Sequence, residues 1–323
     1  ISLQNLKYHL MRAVSYSEGK VFTTNIEQPK GEGVLVNISS AGICGSDLHL
    51  LNAGVHSPHV AGHEIAGITP NGTPVAIEPI ISCQLCNNCK SGDYHLCKVD
   101  FQGMGMSING GMAEQIMVPE NCLIPLDKKI LLKDACLIEP LAVALHGIIR
   151  TNTKSHHRVA VIGGGTIGLA AVAAAKFVGC QVDLHTRYDH QKEAAEIWGA
   201  KEPQGEYNRV IDTVGSEDAL AKSVELLKPG GKIICLAAGW SDVHLPGLGI
   251  LNKEGSFYTS RCYDNRSNLG RDIERAAEIL FENPEFGEKV ITHRFPLDAS
   301  EEAFKIAGDR KSGAIKVVFD TTI

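Results

Sequence analysis

The chain has 323 residues, of which 44% are apolar and 21% are charged, and its formal net charge is −6. This length suits two domains of an ordinary globular protein, and the charge gives no reason to expect a nucleic acid or an anionic membrane as a partner. No uninterrupted apolar run reaches about 18 residues, so no membrane-spanning helix is expected.

The first half of the chain is punctuated by glycine and proline and has the character of a β domain. We interpret Ile1–Leu10 as an extension ahead of the fold, and the start of the chain lacks the pattern of a secretion signal, which predicts a cytoplasmic protein. Short strands are predicted at Gly33–Ile38, Gly72–Ile77 and Glu114–Val118. Short strands with such turns between them favour an irregular, barrel-like β domain.

From about residue 140 onward, predicted strands alternate with predicted helices. The helices are Leu141–Arg150, Ile167–Val178, Gln191–Trp198, Ala219–Leu227 and Arg271–Phe281. The strands are Arg158–Ile162, Gln181–His185, Arg209–Thr213, Lys232–Leu236 and Phe257–Cys262. This alternation predicts a parallel sheet with helices on both faces. Two further strands, Lys289–Phe295 and Ile315–Phe319, are expected to return to the first domain, which would make that domain discontinuous.

A glycine-rich loop directly follows the first of these alternating strands. The run Gly163-Gly164-Gly165-Thr166-Ile167-Gly168 fits the pattern G-x-G-x-x-G and opens a helix. Gly163 permits a tight turn, Gly165 lets a pyrophosphate approach the backbone, and Gly168 lets the helix pack closely on the strand. The free N–H groups at the start of the helix attract phosphate. The loop therefore predicts a dinucleotide site that includes Thr166 and Ile167.

The end of the second alternating strand should contact the adenosine ribose of that dinucleotide. An acidic residue there binds the 2′-hydroxyl of NAD, whereas arginine suits the 2′-phosphate of NADP. Thr186 and Arg187 stand at this end and favour NADP(H). Asp183 is the competing candidate for NAD(H), although we place it inside the strand.

Four of the ten cysteines, Cys83, Cys86, Cys89 and Cys97, crowd into one short segment. Four thiolates with such short spacers can surround one tetrahedral zinc ion, and a fully ligated ion stabilises a loop rather than catalysing a reaction. Disulfides or an iron–sulfur cluster are the alternatives. A single set of four thiols inside a β domain favours structural zinc.

Two further motifs offer ligands for a catalytic metal. The first is Gly42-Ile43-Cys44-Gly45-Ser46-Asp47-Leu48-His49, and the second is Gly62-His63-Glu64. Cys44 and His63 supply a soft thiolate and an imidazole, and Glu64 and Glu139 are the available carboxylates.

These motifs stand in the order that is typical of one family. From Met11 onward the chain resembles the medium-chain dehydrogenase/reductase superfamily, in its zinc-dependent alcohol dehydrogenase family and the sorbitol and polyol dehydrogenase branch. The resemblance implies an α/β protein with a GroES-like β-rich catalytic domain and a doubly wound, parallel-sheet Rossmann domain. The catalytic domain would comprise residues 1–140 and 266–323 with a zinc lobe at 83–97, and the Rossmann domain residues 141–265. It also implies an active site in the cleft between them and a homodimer or homotetramer.

The resemblance also assigns roles to single residues. Cys44, His63 and one carboxylate would bind the catalytic zinc, with Glu64 as the usual third ligand of this branch and Glu139 as a second glutamate close to the metal. Ser46 and His49 resemble the family's proton relay, and Asp47 resembles the carboxylate that orients a ligand histidine.

The function expected from these observations is hydride transfer between a secondary alcohol or polyol and NADP(H). An NAD-dependent polyol or sugar dehydrogenase is the first alternative. A zinc-free quinone or enone reductase and a non-catalytic NADPH-binding protein are the others. The complete set of Cys44, His63 and Glu64 disfavours the reductase, and the presence of Ser46 together with these ligands disfavours the non-catalytic protein.

Overall fold

A computed structural model of the protein describes residues 10–238, 242, 244–265, 270–309 and 311–323. The interpretation of Ile1–Leu10 as an extension therefore lies outside the described residues, except for Leu10, which begins the first strand. The chain forms two compact units. The first unit contains the chain up to Ile81 with Gln102–Cys136 and His293–Ile323, and the second contains Ser82–Phe101 and Leu137–Thr292.

The elements up to residue 137 are mostly short strands. In chain order they are β1 (Leu10–Ser17), β2 (Lys20–Glu27), β3 (Val34–Gly42), α1 (Gly45–Asn52), β4 (Glu64–Ile68), β5 (Pro74–Ile77), β6 (Ile80–Ser82), α2 (Asn87–Lys90), β7 (Phe101–Gly103), β8 (Gln115–Val118) and β9 (Leu123–Pro125). Short 3₁₀ helices lie at Tyr94–Leu96, Glu120–Cys122 and Ala135–Leu137.

The remaining elements alternate helices and strands before the chain returns to the first unit. They are α3 (Ile138–Arg150), β10 (Arg158–Ile162), α4 (Thr166–Phe177), β11 (Gln181–His185), α5 (Asp189–Ala195), β12 (Tyr207–Asp212), α6 (Glu217–Leu226), β13 (Leu227–Cys235), α7 (Gly247–Asn252), β14 (Ser256–Thr259), α8 (Asp272–Glu282), α9 (Glu285–Val290), β15 (Ile291–Phe295), α10 (Ser300–Gly308) and β16 (Lys316–Asp320). Two 3₁₀ helices lie at Glu196–Trp198 and Leu297–Ala299. Within the described residues, no helix combines the length and the hydropathy that crossing a membrane requires.

The main sheet of the first unit has β3 at its centre. Its order is β15-β16-β3-β4-β5-β9, and β8 pairs with the first half of β3. Along its length β3 pairs first with β8, at Val34–Asn37, and then with β16, at Ser40–Gly42, and its pairing with β4 has a register shift between Ile38 and Ser40. The sheet confirms the three strands predicted for this half. It also brings the start of α1, the start of β4 and the last strand of the chain side by side.

The second unit contains the parallel sheet that the alternating pattern predicts. Within the described part of the chain its order is β11-β10-β12-β13-β14. The chain moves from β10 to one neighbour and then to the other, so the carboxyl end of β10 is a topological switch point, where open α/β sheets bind ligands. Helix α4 starts at this point, and its buried alanines let it lie close to the sheet.

The structure differs from the sequence-based expectations at the start of β15 and in the placement of the cysteine segment. The strand expected at Lys289–Phe295 begins only at Ile291, because Phe286 and Val290, four residues apart, bury one face of α9. The segment Ser82–Phe101 belongs to the second compact unit, whereas the expected domain ranges place it with the catalytic domain. The ranges themselves stay a prediction.

Candidate active site

Cys44 lies where the central strand of the first unit passes into a helix. It follows β3 and occupies the N-cap position of α1, with an extended backbone. Its backbone N–H donates to Asp47 Oδ2 at 2.9 Å, which fixes the first turn of the helix. The positive end of the helix dipole favours negative charge at such a position. The sequence Cys44-Gly45-Ser46-Asp47 therefore folds into a turn that holds a half-buried thiol at a defined place.

His63 and Asp47 lie next to each other in the first unit. The distance between His63 Nδ1 and Asp47 Oδ1 is 3.8 Å, which is longer than a direct hydrogen bond. Asp47 is fully buried, and burial raises the pKa of its carboxyl group, while the charge of His63 acts in the opposite direction. The structure thus places the two residues together as the sequence predicts. The role of Asp47 in orienting His63 stays a prediction.

Glu64 begins β4, directly opposite Gly42 of β3. Its carboxylate fills the space above Gly42, since a Cβ atom there would lie 1.9 Å from Glu64 Oε2. Ligand atoms of Cys44, His63 and Glu64 all lie within 4.8 Å of one another. A thiolate, an imidazole and a carboxylate in this arrangement are a donor set that suits catalytic zinc and leaves a position open for a substrate. The chemistry of the three residues therefore fits the predicted ion.

Lys316 is a part of this site that the sequence analysis did not single out. Its ammonium group donates to both carboxylate oxygens of Glu64, at 2.7 and 2.8 Å, and to the carbonyl oxygen of Ile43 at 2.8 Å. Burial lowers the pKa of Lys316, but the charges of Glu64 and Cys44 outweigh burial, and the net shift is upward. A lone lysine inside the apolar strand Lys316–Asp320 was the available signal, because a buried cation needs a counter-charge.

The other predicted residues of the catalytic site lie on two helices. Ser46 and His49 share one side of α1, three positions apart, with Ser46 half-buried and His49 exposed. Glu139 is half-buried in the first turn of α3, which belongs to the second unit. Its place beside the three ligand candidates of the first unit stays a prediction.

The four clustered cysteines converge on one point in the second unit. Their sulfur atoms lie 3.5 Å (Cys86–Cys89 and Cys97–Cys83), 3.8 Å (Cys83–Cys89) and 3.9 Å (Cys86–Cys97) apart. Tetrahedral zinc with sulfur at about 2.3 Å requires sulfur–sulfur distances of about 3.8 Å. All ten cysteines are free thiols, so disulfides are absent here. Backbone hydrogen bonds, Cys83 first, lower the pKa of the Cys97 thiol to about 6, and such bonds favour thiolate. The loop has the geometry of a closed zinc site.

The glycine loop lies at the switch point of the parallel sheet. Gly163 has a φ of 99°, which side chains rarely adopt, and a Cβ on Gly168 would lie 1.8 Å from the carbonyl oxygen of Gly163. The protein's own packing therefore requires both glycines. At Gly165, by contrast, φ is −74° and nothing lies within 4 Å of an added Cβ. The protein itself does not require glycine there, so the open space ahead of α4 fits a bound pyrophosphate.

The residues considered for cofactor specificity follow or lie within β11. Thr186 is buried, and its hydroxyl donates to Gln191 Oε1, while Arg187 is exposed. Asp183 lies in the middle of β11, where it pairs with Ala160 of β10. Its carboxylate accepts hydrogen bonds from the hydroxyl of Tyr207 at 2.8 Å and from the backbone of Lys201 at 3.3 Å. Asp183 is thus engaged within the protein, and the side chain of Arg187 is available to solvent.

Comparison with known proteins places this architecture in a family. Residues 30–128 match the model of the alcohol dehydrogenase GroES-like domain. An L-arabinitol 4-dehydrogenase of Aureobasidium melanogenum is 29% identical, over 88% of this chain and 86% of that protein. A relative from Aspergillus fumigatus described as a probable D-xylulose reductase A is 31% identical, over 84% and 85%. A crystal structure of galactitol-1-phosphate dehydrogenase from Escherichia coli superimposes with a TM-score of 0.85 at 25% identity, over 96% and 99%.

These similarities extend over most of the chain and agree with the fold and with both cysteine motifs. The chain belongs to the medium-chain dehydrogenase/reductase superfamily, in the polyol dehydrogenase-like branch of the zinc-dependent alcohol dehydrogenases. It is an oxidoreductase of the alcohol dehydrogenase type. The predicted fold class, a GroES-like domain with a doubly wound Rossmann domain, is confirmed.

Proposed function

We propose that the protein is a zinc-dependent dehydrogenase that transfers a hydride between NADP(H) and a secondary alcohol or polyol, or the matching carbonyl compound. The observation that carries the proposal is the convergence of Cys44, His63 and Glu64 within 4.8 Å in the first unit. Relatives named as arabinitol, idonate and xylulose oxidoreductases support a polyol or sugar-derived substrate. We also propose a homodimer or homotetramer, as the resemblance implies.

Cys44, His63 and Glu64 are the residues that would hold the catalytic zinc, with Glu139 as the proposed second carboxylate. When bound, the ion acts as a Lewis acid that polarises a carbonyl or alcohol oxygen. Lys316 holds Glu64 by both carboxylate oxygens, so it offsets the buried negative charge and limits how far Glu64 can move towards a ligand position. Four-cysteine ligation by the lobe at 83–97 would serve stability alone.

Oxidation of an alcohol releases a hydride, which the nicotinamide accepts, and a proton, which must reach solvent. Ser46 is half-buried on α1 and His49 is exposed on the same side of that helix. We assign Ser46 to accept the hydroxyl proton and His49 to exchange it with water, and carbonyl reduction uses the same groups in reverse. Asp47, buried on the same helix, accepts a hydrogen bond from the backbone N–H of Cys44 and so keeps the start of α1 in place.

The preference for NADP(H) rests on Arg187 and on the position of Asp183. Arg187 offers an exposed guanidinium just beyond β11, and Thr186 precedes it. The carboxylate that would otherwise bind the 2′-hydroxyl of NAD is held in mid-strand by Tyr207. Structural relatives were determined with NADP bound, in a protein from Sinorhizobium meliloti described as a putative zinc-binding dehydrogenase, and with NADH bound, in an alcohol dehydrogenase from Escherichia coli, so they support a nicotinamide dinucleotide of either kind. The exposure of Arg187 and the engagement of Asp183 favour recognition of a 2′-phosphate.

The test is titration of the zinc-loaded protein with NADPH and with NADH, followed by nicotinamide fluorescence. Arg187→Ala should weaken NADPH binding roughly 10- to 100-fold, since a hydrogen bond to a charged group contributes about 1.5–3 kcal/mol, and should leave NADH unchanged. Arg150→Ala, at another exposed arginine of the second unit, is the control. Tight NADH binding that Arg187→Ala does not affect would instead assign an NAD-dependent polyol dehydrogenase.

A panel of sugar alcohols and simple secondary alcohols then tests the reaction class. Turnover should disappear when a chelator removes zinc and should return when zinc is restored. Reduction of quinones by zinc-free protein would contradict the proposal and favour the reductase alternative. Binding of neither dinucleotide would contradict the assignment of the glycine loop.

A further inference from the structure

A second cluster of side chains that could hold a metal ion lies inside the second unit, and it shares no residue with the four cysteines or with the candidate active site. His95 comes from the 3₁₀ helix of the cysteine lobe and His146 from α3, while Asp264 precedes α8 and Asp272 is the first residue of that helix. All four are buried, with exposed fractions of 2%, 2%, 4% and 0%. Ligand atoms of His95, His146 and Asp264 all lie within 4.8 Å of one another.

Asp272 fixes the orientation of His146. The Nδ1 atom of His146 lies 2.8 Å from Asp272 Oδ2, which also accepts the backbone N–H of Asp264 at 3.1 Å. Because a carboxylate can only accept, this hydrogen bond engages Nδ1 as the donor, and Nε2 is the ring nitrogen that remains for another partner. That nitrogen, Nε2, is buried and has no hydrogen-bond partner among the described residues. A histidine held by a carboxylate in this way is the usual arrangement of a metal-ligating histidine.

His95 presents a second nitrogen of the same kind. Its Nδ1 is buried and also lacks a hydrogen-bond partner within the described part of the chain. The rings of His95 and His146 meet edge to face, with their centroids 5.2 Å apart. Two buried nitrogens left unsatisfied destabilise the fold unless a ligand occupies them. The carboxylate of Asp264 lies beside the same pair of rings, with Oδ1 3.7 Å from Nδ1 of His146.

The charges of the cluster also favour a cation. Two carboxylates, those of Asp264 and Asp272, are buried around the two imidazoles. The arginines whose charge acts on His95, Arg150 and Arg261, are both exposed, so solvent screens them. Buried imidazoles and carboxylates this close together are ligand types that a divalent ion prefers.

We propose that His95, His146 and Asp264 form a third metal site of this protein, which takes a divalent ion suited to imidazole and carboxylate ligands, zinc first. Asp272 is the positioning residue for His146. The site is structural, since it joins the cysteine lobe to α3 and to the start of α8. Two further contacts follow the same path: the backbone N–H of Asn265 donates to the carbonyl of Gly92, and the guanidinium of Arg261 lies over the ring of Phe101.

The test counts metal ions per chain in the intact protein. The wild type, saturated with zinc and freed of excess, should hold one ion more than His95→Asn and Asp264→Asn, as measured by mass spectrometry of the elements. Asp272→Asn should keep the ion but bind it about 10- to 100-fold more weakly, because it loses the carboxylate partner of His146. His157→Asn, at a histidine of the same unit outside the cluster, should leave the count unchanged.

Substitution of cobalt for zinc separates this site from the two that contain cysteine. Thiolate ligands give cobalt an intense charge-transfer absorption in the near ultraviolet, and imidazole and carboxylate ligands do not. His95→Asn and Asp264→Asn should therefore lose one cobalt ion without losing charge-transfer intensity. An unchanged count in both variants overturns the proposal. So does a count that falls in step with the thiolate absorption, because the cluster would then only support the cysteine lobe. Neither readout depends on dehydrogenase activity.

Discussion

The two cysteine-containing groups of this protein are built in opposite ways. The four thiols of the lobe come from one continuous segment, Cys83 to Cys97, and their sulfur atoms already have nearly tetrahedral spacing. The ligand candidates of the second group come from two separate segments of the chain, one with Cys44 and one with His63 and Glu64. The positive charge that pairs with Glu64 is Lys316 of the last strand. The lobe supplies all four ligands of a tetrahedral ion, whereas the second group supplies fewer ligands and leaves a coordination position open.

Because of this difference, we expect the lobe to contribute to the stability of the protein and the second group to contribute to its catalytic reaction. A closed site formed by one loop stabilises that loop, and substitution of any one of its ligands causes loss of the ion. An open site depends on strands that are brought together by the whole first unit, and its residues must hold charge and still admit a substrate. Substitutions in the two groups should therefore have different consequences.

The largest effect is expected in the lobe. Cys89→Ser should abolish binding of the structural ion, and structural zinc contributes roughly 10–16 kcal/mol to the folding of small zinc domains. We expect one zinc ion fewer per chain and rapid proteolysis within residues 83–101. Cys235→Ala, at a cysteine outside both groups, is the control and should change neither. A Cys89→Ser protein with a full zinc content would contradict the assignment of the lobe as a closed zinc site.

The next effect is on catalysis. His63→Ala should lower kcat/KM at least roughly a thousandfold, because the ion's stabilisation of charge is worth several kcal/mol and each 1.36 kcal/mol is about tenfold in rate. The urea midpoint of unfolding should change little. His56→Ala, at an exposed histidine of the same segment, should retain activity. If His63→Ala unfolded as readily as a lobe variant, the division between stability and chemistry would be wrong.

Lys316→Met tests the buried ion pair. Removal of one partner leaves the carboxylate of Glu64 buried without its counter-charge, and such changes cost about 3–5 kcal/mol in the free energy of unfolding. The double variant Lys316→Met with Glu64→Gln should recover much of this loss, which urea denaturation measures. Lys311→Met changes an exposed lysine nearby and serves as the control. Equal losses in the single and double variants would show that Lys316 acts through packing rather than charge.

The glycine loop is a further site that one segment encodes, and it gives the smallest and most selective effect. Gly165→Ala should leave the unfolding midpoint unchanged, since open space surrounds the added Cβ, and should weaken dinucleotide binding by about tenfold or more. Gly168→Ala should lower stability, because its Cβ meets the carbonyl oxygen of Gly163. Fluorescence titration and thermal unfolding measure the two quantities. Normal NADPH affinity in Gly165→Ala would contradict the position assigned to the pyrophosphate.

The sequence by itself determined the features that neighbouring residues encode. The spacing from Cys83 to Cys97 indicates a tetrahedral site because the ligands share one loop. The run from Gly163 to Gly168 indicates a strand, a turn and a helix, since the fingerprint glycines stand where local packing or a bound pyrophosphate leaves no room for a side chain. Alternating apolar segments gave the parallel sheet, and β10 and β11 have the predicted bounds. Such signals are readable because their physical causes act over a few residues.

Only the tertiary structure decided how distant residues meet. Lys316 reaches Glu64 because β3 lies between β4 and β16, and Gly42 leaves the space that the carboxylate fills. The start of β15 was set by the burial of Phe286 in α9 rather than by strand propensity. His95, His146 and Asp264 belong to three segments with no common motif. Charges and lone pairs buried in one place come from separate parts of the chain, so their pairing depends on the packing of whole elements rather than on local spacing.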